Sequence, residues 1–147
     1  MNRRDVIAGA GGVLAAGVAA GLMFNSSGAA FAAGGSSLLG DISKCLDDGA
    51  VCQNHCVDEL SKGNKDMGKC NRKVTEMLAI CNAMHAMVAL KSDRAKDLAA
   101  VCVKVCQDCA DACAEHKAHW AHKMHLECKD CHDSCLALIK SLKKVYG

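Results

Sequence analysis

The sequence predicts an all-α fold, an antiparallel up-down-up-down four-helix bundle with a cysteine-lined core. Three observations carry that expectation. The 147 residues contain no proline, and residues 69–146 contain no glycine but abound in Ala, Leu, Lys, Glu and Asp, a composition that is helical unless something overrides it. The 12 cysteines fall on one stripe of each helix that can be drawn. Little else is available to fill an interior. Of the four aromatic residues, Phe24 and Phe31 lie in the N-terminal leader, which leaves Trp120 and Tyr146, and Leu, Ile and Val supply only 22 of residues 33–147. The net charge of +2, with Lys and Arg interspersed among Asp and Glu, lacks the concentrated basic patch of a nucleic-acid protein. The length suits one domain.

The leader comes first. Arg3-Arg4 precedes an apolar run over residues 6–24 and the small-residue stretch Ala29-Ala30-Phe31-Ala32-Ala33. A charged start, an apolar middle and an A-x-A end read as a signal peptide over residues 1–32, cut between Ala32 and Ala33, and the paired arginines match the twin-arginine export signal. The alternatives are an uncleaved anchor, since the run is nearly long enough to span a bilayer, and a general secretory signal with a chance Arg-Arg. Glycines at 9, 11, 12, 17 and 21 weaken membrane insertion and favour cleavage. Twin-arginine passengers fold before crossing, which shelters thiols from scrambling in an oxidising compartment. The expected destination is periplasmic or otherwise extracytoplasmic, with residues 33–147 as the folded domain and no membrane contact after cleavage.

Four helices follow. Helix 1 is expected over 37–61, stopping at Gly63-Asn64, and helix 2 over 66–90. Ser92 is a good N-cap for helix 3, over 92–117. Helix 4 takes 120–145. The turn between the last two is placed near His119, because an unbroken helix would be far longer than the globular mean.

At 100° per residue, Cys45, Cys52 and Cys56 share roughly 40° of arc on helix 1. Cys70 and Cys81 share a stripe on helix 2 with Met77 and Met84. Cys102, Cys106, Cys109 and Cys113 occupy about 60° on helix 3, as do Cys128, Cys131 and Cys135 on helix 4. Rising about 1.5 Å per residue from the turn between helices 2 and 3, all twelve fall within a common height range of roughly 12–32 Å. They form a column along the bundle axis. Beyond Cys81, Cys102 and Cys135 the stripes continue as an apolar plug of Met84, Val88, Leu98, Ile139 and Leu142. At the opposite end they meet Met67, His116, Met124 and His125, with His119 and His122 in the turn.

Cysteines four apart recur as Cys52/Cys56, Cys102/Cys106, Cys109/Cys113 and Cys131/Cys135. Helical neighbours at this spacing have Cβ atoms about 5–6 Å apart, suited to holding one metal ion between two thiolates. A disulfide wants about 3.8 Å between Cβ atoms. All-thiolate sites suit Cu(I), Zn(II) or iron–sulfur clusters. Zinc knuckles and cluster ligands come typically from loops and turns, whereas Cu(I) accepts the thiolate pairs of a straight helix. Shared thiolates bring the expected load toward one Cu(I) per cysteine, on the order of a dozen ions. Twelve buried thiolates without cations would be prohibitively costly, so the empty protein should hold neutral thiols.

The run Cys102-Val-Lys-Val-Cys106-Gln-Asp-Cys109-Ala-Asp-Ala-Cys113, then His116 and His119, then Cys128-Lys-Asp-Cys131-His-Asp-Ser-Cys135, resembles the cysteine-rich four-helix-bundle copper storage proteins. With the paired arginines, the resemblance extends to the exported branch of that family. It implies a lumen lined by cysteines that bind many Cu(I) ions, copper admission at a His/Met-bearing end, and assembly into homo-oligomers. It also implies a copper-requiring enzyme, such as a methane-oxidising one, or a copper chaperone as partner.

Alternatives stand beside this reading. An even cysteine count bound for an oxidising compartment also fits a disulfide-stapled structural protein, and an iron–sulfur electron-transfer protein is a third possibility. Met77 and Met84 read as core filler first and auxiliary ligands second; Met67 and Met124 lie near the histidines. His116 and His125, on or beside the stripes, are candidate gate ligands, with His119 and His122 behind them. His55, His85 and His132 are expected at the surface, and Trp120 at the turn between helices 3 and 4. No nucleophile–base set or carboxylate pair stands at a meaningful spacing, so the sequence reads as non-enzymatic.

Overall fold

The structure, a computed structural model, describes the backbone of residues 29–147 and the side chains from Leu38 onward. The arginine pair and apolar run of the expected leader lie outside the described residues. Among the described residues five helices follow in chain order: α1 (Ala29–Ser61), α2 (Met67–Ala89), α3 (Ala95–Ala114), the single turn α4 (Lys117–Trp120) and α5 (Leu126–Tyr146). The described residues contain no strand. α1 packs on α2 and α5, and α3 packs on the same two. The four long helices therefore close a ring around one interior, with α4 resting on α5. No helix among the described residues is long and apolar enough to cross a membrane.

Three helix ends share one device, and only one of them was visible in the sequence. After α1, Gly63 takes a positive φ of 90° while Asn64 N–H donates to Glu59 O (3.0 Å) and Gly63 N–H to Leu60 O (3.0 Å). This is the Schellman arrangement, which occupies carbonyls that the helix leaves free. After α2 the same pair of bonds runs from Ser92 to Met87 (2.9 Å) and from Lys91 to Val88 (3.0 Å), with Lys91 at φ 51°. After α4 it runs from Met124 to His119 (3.1 Å) and from Lys123 to Trp120 (3.0 Å), with Lys123 at φ 55°. Lysine occupies the left-handed position in both, where glycine is the usual occupant.

These caps correct the expected bounds. α1 is already helical at Ala29, ahead of the expected start at 37, in a stretch where Ala29, Ala30, Ala32 and Ala33 favour helix. α3 begins at Ala95 rather than 92. Ser92 still caps the entering turn, accepting the Arg94 N–H on its hydroxyl at 3.2 Å, but the turn is tight (Ala95 N–H to Ser92 O, 3.0 Å) and the regular helix starts only after it. The largest change is between α3 and α5. α3 stops at Ala114 and α5 starts at Leu126, not 120, because left-handed Lys123 and His125 (φ 53°) turn the chain twice.

The interior has two parts. Leu38 and Ile42 of α1, Met84 of α2, Ala95 and Ala99 of α3, and Leu138, Ile139 and Leu142 of α5 are all buried, with Val88 and Leu98 packed against them. That is the hydrocarbon plug. The remaining interior is dominated by sulfur: every one of the twelve cysteines is at most 1% exposed, with Val74, Ala110 and Ala112 buried beside them.

Candidate metal centre

Each helix contributes its thiols from one stripe because 3.6-residue periodicity keeps positions three and four apart on one face. α1 supplies Cys45, Cys52 and Cys56, and α2 supplies Cys70 and Cys81. Cys102, Cys106, Cys109 and Cys113 come from α3, and Cys128, Cys131 and Cys135 from α5. All twelve are free thiols.

Sulfur contacts below 4 Å run between helices. Cys45 meets Cys135 at 3.7 Å, Cys52 meets Cys70 at 3.8 Å and Cys128 at 3.7 Å, and Cys109 meets Cys131 at 3.7 Å. Cys70 also meets Cys113 at 3.6 Å and Cys128 at 3.9 Å, while Cys81 meets both Cys102 and Cys106 at 3.6 Å. Ligand atoms within 4.8 Å of one another define four overlapping groups: Cys52/Cys56/Cys70/Cys128, Cys52/Cys113/Cys131, Cys109/Cys131/Cys135 and Cys45/Cys81/Cys106. Cys52 and Cys131 each belong to two groups, Cys135 touches Cys45, and Cys102 touches Cys81. The sulfur chain is thus continuous from Cys56 to Cys102.

This geometry revises the emphasis on pairs within a helix. Of the i,i+4 pairs, Cys52/Cys56 and Cys131/Cys135 share a group, but each is completed by thiols from neighbouring helices. Each of the four groups draws its thiols from more than one helix.

Proton affinities follow from the crowding. The Cys113 thiol is pushed well above its ordinary range, first by the neighbouring Cys109 thiol, then by Cys128, Cys131 and Cys52, and by burial. Cys135 is pushed up in the same way, first by Cys106. Cys70 is drawn down to about 5, first by Cys113, and Cys102 to about 5, first by Cys106. Thiols that keep their protons donate to neighbours that would release theirs. Uncompensated negative charge in so dry an interior is costly, and a soft monovalent cation relieves that cost.

Four histidines stand at the end nearest Cys56 and Cys128. His125, at the start of α5, carries the cluster. Its Nδ1 lies 2.7 Å from His55 Nε2, one ring donating to the other, and its ring centroid lies 5.5 Å from those of both His116 and His119. His116 is buried, His55 and His125 are half-buried, and His119 is exposed. Burial first, then the neighbouring His55, holds the His125 imidazole below its ordinary range and keeps its lone pair available. Glu127 lies 3.7 Å from the other nitrogen of His55.

His55 is the residue that the sequence reading sent to the surface and the structure brings in. Its wheel angle points away from the stripe, but it sits beside Cys56, the last thiol of α1, within reach of His125 at the start of α5. The available signal was its height. Conversely, His122 and Met124 are exposed in the turn. Met67, Met77 and Met84 are fully buried. His85 is half-buried on α2. His132 was also expected at the surface, yet it is half-buried, packs against Trp120 with tilted rings (centroids 5.4 Å apart, 59°) and bonds Asp133 at 2.8 Å.

The sequence model of one protein family, described as Csp, copper storage protein, matches residues 33–140. Comparison with curated proteins finds no match.

Proposed function

The chain belongs to the copper storage protein family, and from that premise we propose that it stores Cu(I) as thiolate-bridged ions along its interior. The observation that carries the reading is the unbroken sulfur chain, in which single thiols touch several others on different helices. A disulfide-stapled protein needs one partner per sulfur. Cys70 has three, at 3.6, 3.8 and 3.9 Å, an arrangement suited to bridging soft ions. With sulfurs shared between neighbouring ions, the load approaches one Cu(I) per cysteine. Binding displaces protons from the thiols, and the protein acts as a sink without catalytic turnover.

Copper is admitted at the end carrying His55, His116, His119 and His125, since imidazole is a compatible ligand and the opposite end is closed by hydrocarbon. The paired arginines and the alanine-rich cut support export by the twin-arginine route to an extracytoplasmic compartment, as a homo-oligomer that passes copper to a copper-requiring enzyme or chaperone.

The decisive measurement is an anaerobic titration of the reduced protein with Cu(I) against a competing chelator. On the order of a dozen ions per chain are expected. Uptake of fewer than about four, or near-absence of reactive thiols after mild reduction, would overturn the storage reading. Visible absorption in the purified protein would favour iron–sulfur clusters instead, because Cu(I) thiolates are colourless.

A further inference from the structure

The sulfur chain has one member that is not a thiol. On α2, Met77 stands four residues before Cys81, fully buried, and its Sδ lies 3.6 Å from Cys45 Sγ. Cys45 in turn lies 3.7 Å from Cys135 and shares a group with Cys81 and Cys106. The thioether is therefore inserted among thiols at the same spacing that the thiols keep with each other.

Its place depends on Gly49. The α1 stripe runs Cys45, Gly49, Cys52, Cys56, so the glycine occupies an inward position where a side chain is expected. It is buried in mid-helix, where glycine costs about 0.5–1 kcal/mol relative to alanine. A methyl group at Gly49 would lie 2.6 Å from Met77 Cε and 3.0 Å from Leu78 Cδ2. The missing Cβ is what lets the end of Met77 fold back against α1 and turn its sulfur toward Cys45. If Met77 merely filled space, alanine at 49 with a slightly withdrawn methionine would serve as well and favour the helix.

We propose that Met77 is a thioether ligand to one stored Cu(I) ion, shared with Cys45, and that Gly49 is its positioning residue. The inference rests on the storage reading above. Thioether sulfur is soft and matches Cu(I), and being neutral it adds no negative charge to the interior. One thiolate and one thioether around Cu(I) make a site without net charge, the least costly kind to bury. The site needs one thiolate, that of Cys45, and Met77 binds through its thioether lone pair without giving up a proton.

The test uses selenomethionine-labelled protein loaded anaerobically with Cu(I) and X-ray absorption at the selenium edge. Copper is expected as a scatterer bonded to selenium in the wild type, and that signal should fall in Met77→Leu, which keeps the volume and removes the donor. Met77→Leu should also fill with about one ion fewer per chain at an unchanged thermal midpoint of the empty protein. Gly49→Ala, which keeps the methionine but displaces its end, should lose the same part of the signal, and Met77→Cys should restore capacity. A wild type that fills with copper while selenium sees none, or a Met77→Leu variant indistinguishable from wild type in signal and capacity, overturns this inference alone. A wild type that takes up no copper overturns the storage reading itself.

Discussion

The two ends of the interior are built from the same four helices and meet opposite demands. At the plug, Leu38, Ile42, Leu138 and Leu142 are at most 1% exposed and make an ordinary hydrocarbon core, complete without any ligand. In the column, the buried groups are thiols 3.6–3.9 Å apart, weak donors and acceptors that share protons among themselves. Burial is equally complete in both. Cohesion is not. The plug gains from hydrophobic burial alone, whereas the column is a continuous path of soft donors that a bound cation would stabilise further.

Loading should change the column most. A ligand that binds only the folded state at a thousand times its dissociation constant adds about 4 kcal/mol per site. Copper should therefore raise the thermal midpoint strongly, and hydrogen exchange should slow more around Cys52, Cys70 and Cys131 than around Leu138. Equal protection at both ends would remove the distinction. The effect should weaken on acidification. Thiols such as Cys113 and Cys135 hold their protons above the ordinary range, so loading releases protons and falling pH opposes it. Proton release into weak buffer checks the sign.

Leu138→Ala attacks the other end. It should destabilise the empty protein by about 2–5 kcal/mol, read from the denaturant midpoint, while copper capacity per folded chain is unchanged. A smaller reversal is expected for Cys131→Ala. Removing its sulfur should cost about 1 kcal/mol in the empty protein, yet it should lower capacity because Cys131 belongs to two ligand groups. The smallest effect on stability should come from the histidine end. His55→Ala combined with His116→Ala and His125→Ala should slow Cu(I) uptake in stopped-flow mixing while leaving final capacity nearly intact. Unchanged uptake kinetics would remove the gate from that end.

Much of this was legible before folding was considered. Helical phase is a local property, so the stripes, the plug residues on helices 2 to 4 and the stop at Gly63 could be read from spacing and composition. The break between α3 and α5 could not, because Lys123 and His125 adopt the left-handed conformation without the glycine that usually announces it. Gly49 was legible in principle, as a glycine on an inward stripe. Its meaning required knowing that Met77 of α2 lies opposite.

The sequence by itself determined that twelve thiols face one interior and that one end of it is hydrocarbon, since 3.6-residue periodicity allows nothing else for these spacings. Only the tertiary structure decided which sulfurs meet, that the ligand sets cross between helices, that His55 joins His125, and that Met77 reaches Cys45. Those outcomes depend on the relative height and rotation of helices packed against each other. Displacing one helix by a single turn, about 5.4 Å, exceeds every sulfur contact in the column and would leave each stripe intact while changing every partner.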